Sequence, residues 1–395
     1  MNIVVICLLG FMAAIGPLST DIYIPGLPTI ASELGSTAAG VQLSLTTCFI
    51  GLALGQVLMG PWSDEIGRKK PAIVSFGGFA IASFLCATSG SLGMFLFWRF
   101  VQGLAGAGCI VLARSIACDT YEGNKLTQFI SLLVLIASVV PIAGPVLGGL
   151  ILQAFDWQAI FIVLGICGVI GAVWTMVSLP ETLAPEQRIT GGLSASLKGM
   201  KTLWNIPQYR GYLLIQGFAS MGLFAYISGS PFILEEIYTL TPTEFSIFFG
   251  ICSACLAISA QVFGRLCKTV GEDKILWYGN VAGLFVGFLI ILVEVMQPES
   301  PWMIMIVLML LISTCGITLP LSFSGGVNSQ KGLSGSASGL LGVISFLAGA
   351  LAAPLVGLGG GHSMWALAII IVVEHIGSLI SMKAYINPNY IEVTN

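Results

Sequence analysis

Charged side chains are scarce in this sequence: only 8% of its 395 residues are Asp, Glu, Lys or Arg, whereas 56% are hydrophobic. Soluble domains carry about a quarter charged residues, so this chain has too little polar surface to cover a globule in water. The composition therefore excludes an ordinary soluble domain. It predicts a polytopic membrane protein, in contact with the lipid bilayer over most of its length.

The patterns of several enzymes and pumps are also absent. There is no Gly-x-x-x-x-Gly-Lys-(Ser/Thr) stretch, so ATP is not expected to supply the energy. No nucleophile constellation or metal-ligand cluster is present, so we expect neither an enzyme, nor a metal, nor a cofactor. The ten cysteines lie in or beside apolar runs, and the pair Cys252 and Cys255 has no further ligand nearby. We therefore expect them to be packing residues rather than a disulfide framework.

Apolar runs of about 17 to 25 residues, long enough to cross a bilayer, recur along the whole chain. They predict an all-α membrane protein of two six-helix bundles, 1–180 and 209–395. The stretch 181–208, with its Pro, Gly, Ser and charged residues, is the predicted linker between them. Secondary transporters are built from two such repeats, with the substrate site between them at the midplane. The twelve runs are 3–24, 40–62, 71–90, 93–117, 127–151, 157–179, 209–234, 245–266, 275–296, 301–325, 333–358 and 364–386.

Basic residues are missing from one set of loops. Of the fifteen Lys and Arg residues, Arg99 and Arg114 lie within runs, and with a cytoplasmic N-terminus the other thirteen all fall on the cytoplasmic side. The opposite loops contain acids and no base. Because basic residues stay in the cytoplasm during insertion, both termini and the linker are predicted to be cytoplasmic. The net charge of −3 gives no indication of a nucleic-acid partner.

Arg99 lies about six residues, or roughly 9 Å, inside the outer end of the fourth run. A charge at that depth is costly and usually marks a function or a buried partner. Gln102, Gly103 and Gly106 follow it at i+3, i+4 and i+7, so they share its face of the helix. The alternative is that Arg99 snorkels to the outer surface. Arg114, nearer the other end, is either a snorkelling or a cavity-wall charge.

Two of the acids within the predicted spans are candidates for proton or substrate handling. Asp21 is the sole acid of the first run and follows a predicted kink at Gly16–Pro17; it either handles protons or substrate or is an interfacial acid at the helix end. Glu374, beside His375, lies about 16 Å into the last run, near the middle of the ~30 Å hydrocarbon core. An acid beside a base suits protonation chemistry, and the alternative is a neutral, hydrogen-bonded Glu374.

The fifth run is interrupted by the stretch SVVPIAGPVLGGLI at 138–151. Prolines and glycines are poor helix formers, and in water such a segment would break. Within a membrane, Gly144 and Gly148 form a small-xxx-small pair that permits close backbone contact with another helix, while Pro145 bends the run. The residues of this interruption are Pro141, Gly144, Pro145, Gly148 and Gly149.

The loop GPWSDEIGRKKP at 60–71 resembles the signature of the major facilitator superfamily, Gly-x-x-x-Asp-(Arg/Lys)-x-Gly-Arg-(Arg/Lys). Glu65 departs from it, because the family usually has a base there. A decayed copy, FGRLCKTVGEDK, lies at 263–274 in the second half. By this resemblance Asp64 and Arg68 form a cytoplasmic gate, with Asp119 as partner. The matching residues are Gly60, Asp64, Gly67, Arg68 and Lys69.

Further motifs narrow the resemblance. Arg99, Gln102 and Gly103 match the family's Arg-x-x-Gln-Gly pattern, which is linked to proton coupling. The stretch 144–149 resembles the motif of the proton-coupled antiporters, where it helps seal the cavity against proton leak. GPLSTDIYIPGLPTIA, DWQAIF and SGSPFILEEIYTLTPTEFSIFFG resemble the Bcr/CflA branch of drug-resistance antiporters. The likeness covers essentially the whole chain.

This resemblance implies a monomeric secondary exporter in the bacterial cytoplasmic membrane that exchanges small organic molecules for protons by alternating access. One alternative is a nutrient symporter on the same scaffold, against which the 144–149 motif argues. The other is a receptor without transport, against which the charges within spans argue. The predicted proton-coupling or substrate residues are Asp21, Arg99, Gln102 and Glu374, and the predicted cavity aromatics are Tyr23, Phe224 and Tyr226.

Overall fold

The structure is a computed structural model that describes residues 3–121, 123–188, 192–330, 334–359 and 363–386. Residues 189–191 of the linker, Lys331 and the C-terminus predicted to be cytoplasmic lie outside these ranges. The α-helices found within them are α1 Ile3–Asp21, α2 Leu27–Glu33, α3 Ala38–Ile66, α4 Lys69–Ala87, α5 Leu92–Thr120, α6 Gly123–Ala154, α7 Gln158–Ser178, α8 Gly192–Trp204, α9 Pro207–Pro231, α10 Pro242–Val270, α11 Glu272–Met296, α12 Trp302–Asn328, α13 Ser334–Gly357 and α14 Trp365–Ser381.

Shorter helical segments extend several of these helices. A 3-10 turn at Ile24–Gly26 connects α1 to α2, and another at Pro185–Gln187 precedes α8. A π-helical segment, Phe232–Ile237, continues α9, and a second one, Met382–Ile386, continues α14. The predicted linker therefore contains a helix, α8, of 13 residues.

Eleven helical stretches of the described chain are long and apolar enough to cross a membrane. They match every predicted span except the fifth, which falls in α6; its shorter described apolar part is Val139–Ala154. Lipid offers no hydrogen bonds to the backbone, so a chain of this composition must satisfy its own amides within helices. The prediction of an all-α polytopic membrane protein is confirmed.

Prolines do not divide the helices that contain them. α6 runs as one helix of 32 residues through Pro141 and Pro145, and α12 continues through Pro320. In water an internal proline costs about 3 kcal/mol, but neighbouring helices in a membrane can satisfy the carbonyl groups it leaves free. The prolines and glycines therefore interrupt the apolar sequence of the fifth span, but the helix itself is continuous.

Local signals fix several helix ends. Thr241 and Glu244 form a reciprocal capping box at the start of α10, in which each side chain accepts a hydrogen bond from the other's backbone N–H. Gly67 and Gly271 take φ values of 97° and 98° in the turns before α4 and α11. Those left-handed conformations favour glycine, because a Cβ would be strained there.

The chain divides into two compact units, Met1–Ser36 with Leu43–Ser196, and Thr37–Gln42 with Leu197–Asn395. In the first unit α1 packs on α5 and α6, while α4 packs on α5 and α7. In the second unit α9 packs on α12 and α13, while α11 packs on α12 and α14. The predicted limits of the two bundles and of the linker stay predictions.

An acid fixes the start of the last long helix in each unit. In the first unit the indole Nε1 of Trp157, the residue before α7, donates to Glu33 at 2.8 Å. In the second, Ser363 Oγ and the backbone N–H of Met364 donate to the carboxylate of Glu294, at 2.8 and 3.2 Å. The backbone contact of Glu294 suits a helix N-terminus, where backbone N–H groups are unpaired, whereas Glu33 holds its helix through a side chain.

Candidate functional site

Two glycines let α5 lie very close to its neighbours. A Cβ on Gly103 would overlap the carbonyl group of Cys48 on α3. An ideal Cβ on Gly106 would lie 3.5 Å from the Cα of Gly16 on α1. Such contacts between small residues are how helices approach in lipid. The Arg99 side chain, one and two turns away, is therefore enclosed by three helices.

Arg99 is fully buried, with an exposed fraction of 0%. Its Nη1 donates to the Ser19 carbonyl oxygen of α1 at 3.1 Å and to Gln102 Oε1. The guanidinium also lies 4.3 Å from the ring centroid of Tyr23 and 5.7 Å from that of Phe161. Cation–π contacts strengthen when water is excluded. Arg99 therefore does not snorkel; it is held inside the first unit.

Among the described residues, no carboxylate forms an ion pair with Arg99. Gln102 is fully buried, and its Nε2 donates to Ser83 Oγ on α4 at 2.6 Å, which continues the hydrogen-bond chain. In the described part of the chain, Nε and Nη2 of Arg99 have no hydrogen-bond acceptor. A buried charge without a counter-ion is costly, and a side chain retained under that cost is a strong functional candidate.

Asp21 lies at the last residue of α1 and is 5% exposed. Thr20 Oγ1 donates to its Oδ1 at 3.1 Å, and no ion pair with Arg99 is found within the described residues. Ser19, whose carbonyl oxygen accepts from Arg99, precedes it by two positions. Arg99 of α5 thus contacts the turn of α1 that carries Asp21, and the two predicted coupling residues are connected through the α1 backbone rather than by direct contact.

The glycines of α6 pack directly on that turn. An ideal Cβ on Gly144 would lie 3.2 Å from Asp21 Cβ, and one on Gly148 would overlap the carbonyl oxygen of Ile22. Gly149 and Pro145 are also buried, and Pro141 is partly buried. The predicted close contact of the fifth span is therefore with the segment that carries Asp21.

A second charged cluster lies at the turn between α3 and α4. Arg68 is 5% exposed; its Nη1 donates to Asp64 Oδ1 at 2.6 Å, and its Nε donates to Asp119 Oδ2 at 2.8 Å. Glu181, which follows α7, accepts from the backbone N–H of Arg68 at 2.7 Å. We call these four residues, Asp64, Arg68, Asp119 and Glu181, the Arg68 network. It connects α3, α4, α5 and the segment after α7.

Gly67 is required at this turn for two reasons. Its φ is 97°, and a Cβ there would lie 2.5 Å from Glu181 Oε2. Partial burial opposes ionisation of Glu181, but the N–H groups of Arg68, Leu183 and Lys69 together hold its pKa below the ordinary value. This connection is therefore present at neutral pH and weakens only when the pH falls through that lowered value. Gly60, by contrast, has room for a Cβ beside Val111.

The predicted cavity aromatics lie in packed surroundings. Tyr23 has an exposed fraction of 0%, donates or accepts a 3.0 Å hydrogen bond with Ser44, and covers Arg99, so it does not line an open cavity. Phe224 is partly buried against Gly349 of α13. Tyr226 is 2% exposed and stacks on Phe249 of α10 at 5.3 Å.

Glu374 and His375 form a buried pair in the second unit. Both side chains are 2% exposed, and His375 Nδ1 lies 2.8 Å from Glu374 Oε1. They lie on α14, which packs on α9 and α11. The pair therefore belongs to the second unit, whereas the Arg99 cluster belongs to the first.

Sequence reasoning missed Ser83 and Glu181. Ser83 Oγ donates to the Phe79 carbonyl within its own helix, which is common in membrane helices and gives no sequence signal for the contact with Gln102. Glu181 is a single acid in the stretch LPETLAP. Its use depends on where the chain returns after α7, which no local pattern reveals.

Comparisons with known proteins agree with this architecture. The model of the "Major Facilitator Superfamily" matches residues 9–353. The "Uncharacterized MFS-type transporter YdgK" of Bacillus subtilis (strain 168) is 36% identical over 374 residues, 94% of this chain and 93% of that protein. The "Bicyclomycin resistance protein homolog" of Haemophilus influenzae is 26% identical over 348 residues, 88% of this chain and 87% of that protein.

Among solved structures, that of a mutant of the nucleoside transporter NupG superimposes with a TM-score of 0.77 over 98% of this chain and 100% of that chain. The sequence identity is 12%, so this likeness shows a shared fold and nothing about substrates.

Proposed function

The chain belongs to the Major Facilitator Superfamily, and on that premise we propose that it exports small organic molecules, of the kind cells meet as drugs, in exchange for protons. The family and the fold are those of transporters, which are not enzymes. The relative named for bicyclomycin resistance supports the substrate class. The proton gradient supplies the energy, no cofactor takes part, and the working unit is a monomer in the bacterial cytoplasmic membrane with both termini inside.

One observation carries this proposal. The glycines of the antiporter-like motif lie against the backbone of Asp21 and Ile22, so the motif and the sole acid of α1 form a single packed element. In an antiporter, one group must be deprotonated when substrate binds and protonated for the return step. Asp21 is this group in our proposal, because it is buried, is ionisable and lies where α6 can sense a movement of α1.

Arg99 acts on Asp21 through α1 in this scheme. Its hydrogen bond to the Ser19 carbonyl fixes the last turn of the helix, two residues before Asp21. Gln102 and Ser83 hold the guanidinium in place from the other side. When the helix turn shifts, the position of Asp21 relative to this charge changes, and with it the affinity for a proton.

The Arg68 network is the proposed cytoplasmic gate. Its guanidinium, which is hydrogen-bonded to two carboxylates, joins three helices, and the backbone N–H of Arg68 connects them to the segment after α7. Charge-assisted hydrogen bonds of this kind are strong and directional. They therefore stabilise one arrangement of the helices until another arrangement becomes lower in free energy.

The test is substrate-induced proton release from purified protein in weakly buffered detergent solution, with bicyclomycin as the first probe. Wild-type protein should release protons on binding. Asp21→Asn should bind without release, because its side chain is permanently neutral. Asp156→Asn, the same change in an exposed loop of the same unit, is the control and should behave as wild type.

A nutrient symporter on the same scaffold is the rival function. Flux in proteoliposomes distinguishes the two. When protons flow inward, an antiporter moves substrate outward, whereas a symporter moves substrate inward together with the protons. Proton release that persists in Asp21→Asn would show that another group carries the proton and would refute the role of Asp21.

A further inference from the structure

The second unit buries an acid and a base together, without contact with any described charge. Glu374 and His375 are both 2% exposed, and no other described charged side chain acts on either of them. From α12, the thiol of Cys315 interacts electrostatically with Glu374; from α9 and α11, Gly222 and Gly283 lie against the pair. An isolated charge in such surroundings is very costly, whereas a neutral pair is not.

The pair fits into two notches. A Cβ on Gly222 of α9 would overlap the Glu374 carboxyl group, and a Cβ on Gly283 of α11 would overlap the His375 ring at Nε2. Two different helices therefore lack a side chain at the positions where the pair needs space. An ordinary packing contact would not need both glycines, so the cavity is shaped for these two side chains.

The hydrogen bonds fix the protons. His375 Nδ1 lies 2.9 Å from the Ile371 carbonyl oxygen and 2.8 Å from Glu374 Oε1. A carbonyl oxygen only accepts, so Nδ1 carries a hydrogen in this arrangement. An exchangeable proton then lies on His375 Nε2 or on Glu374 Oε2, and Oε2 has no hydrogen-bond partner within the described residues.

Counting charge gives the number of protons. With Nδ1 protonated and nothing on Nε2 or Oε2, the pair is a carboxylate beside a neutral imidazole and carries one negative charge. One added proton makes the pair neutral, whichever of the two atoms holds it. Burial in lipid surroundings favours the neutral form, and both positions are covered by glycine backbone, Nε2 by Gly283 and Oε2 by Gly222.

We propose that the Glu374–His375 pair is a second proton-binding site that takes up and releases one proton only when α14 separates from α9 and α11. Proton release leaves a negative pair that needs water, so release and loosening of this packing occur together. The use of that proton in transport rests on the proposed proton exchange, but its binding does not.

Infrared spectroscopy of the full-length protein in proteoliposomes tests the site through a pH titration. The carboxyl band lost in Glu374→Gln and the imidazole band lost in His375→Gln should change together in wild type, with one common midpoint. Each single variant should move the midpoint of the remaining group by at least about one pH unit, a tenfold change in proton affinity. Gly283→Ala should also shift the common midpoint, and Gly264→Ala, whose methyl group meets open space, should not.

Two results would overturn the proposal: bands that stay constant between about pH 5 and pH 9, or bands with independent midpoints in wild type. If the single variants of the pair do not insert into the membrane, the comparison of the titration midpoints of Gly283→Ala and Gly264→Ala decides alone. Substrate-induced proton release separates this site from the proposed function. If the pair titrates jointly but proton release does not depend on Asp21, the second proton site is supported and the role of Asp21 is refuted. If release depends on Asp21 but the pair does not titrate jointly, the second proton site is refuted and the role of Asp21 is supported.

Discussion

The two units pair their helices in the same way, although they bury different charges. In each unit the first long helix packs on the fourth and fifth, and the third packs on the fourth and sixth: α1 and α4 in the first unit, α9 and α11 in the second. In the first unit a fully buried cation without a counter-ion among the described residues, Arg99, lies on the fourth helix, whereas the second unit buries the Glu374–His375 pair on its sixth. Packing is thus shared, and chemistry is specific to each unit.

The turn between the second and third helices gives the same lesson on a smaller scale. Gly67 and Gly271 have nearly identical φ values, 97° and 98°, so both units keep the same turn. Only the first unit builds an ion network on it. Arg265, in the corresponding loop of the second unit, is exposed and forms no ion pair within the described residues. The two turns therefore share their backbone geometry, whereas the ion network belongs to the first unit.

The largest effect is expected at a glycine of the fifth helix of the first unit, and the fifth helix of the second unit supplies the comparison. Gly148→Ala should lower export at least tenfold and destabilise the protein by about 1–3 kcal/mol, because its methyl group would overlap the Ile22 backbone. Gly349→Ala of α13 should do much less, since its methyl group meets the Phe224 ring, a side chain that can turn aside. Efflux assays and thermal unfolding compare the two. Equal losses would remove the special role of the α6 glycines.

Arg99→Ala should stop or uncouple transport, and Arg99→Lys should retain part of it. Lysine keeps the charge but loses the planar contact with Tyr23 and the paired hydrogen bonds. Substrate flux driven by a pH gradient in proteoliposomes measures the difference. Full activity of Arg99→Ala would mean that the buried cation of the first unit is structural, as packing alone would allow.

An intermediate effect is expected at the turns. Arg68→Gln should lower transport several-fold, because it leaves the two carboxylates of Asp64 and Asp119 without their cation. Arg265→Gln should leave transport within about a factor of two, as exposed charges contribute little. Initial transport rates of both variants test this contrast directly. A similar loss in both would show that the second turn has kept a function that its geometry does not display.

The smallest effect is expected from labelling probes, which should leave activity unchanged. In a cysteine-free background, Ser36→Cys and Thr241→Cys follow the first membrane helix of the first and second unit, respectively. Both should react from outside with an impermeant thiol reagent, whereas Ser194→Cys in the linker should not, because the basic loops are cytoplasmic. Labelling of Ser194→Cys alone in intact cells would invert the predicted topology and with it the placement of the gate.

The sequence predicts the helices well because lipid imposes a length and an apolar composition on each of them. It also predicts the α6 contact, since Gly144 and Gly148 lie one turn apart on one face. What fails is anything that depends on distant parts of the chain. The role of Tyr23 under Arg99 and the contacts of Glu181 arise from residues many positions apart, and no local period encodes them.

The bond between Trp157 and Glu33 has an optical consequence. Of the eight tryptophans, Trp157 is the one that is buried, at 1% exposure, and its ring packs edge-on against Phe95 and Phe161, which in turn lies beneath Arg99. Its fluorescence therefore comes from an indole in dry surroundings next to a carboxylate. A movement of Arg99 during the transport cycle would reach this ring through Phe161. Trp157 is therefore an intrinsic fluorophore with which that movement can be followed in time.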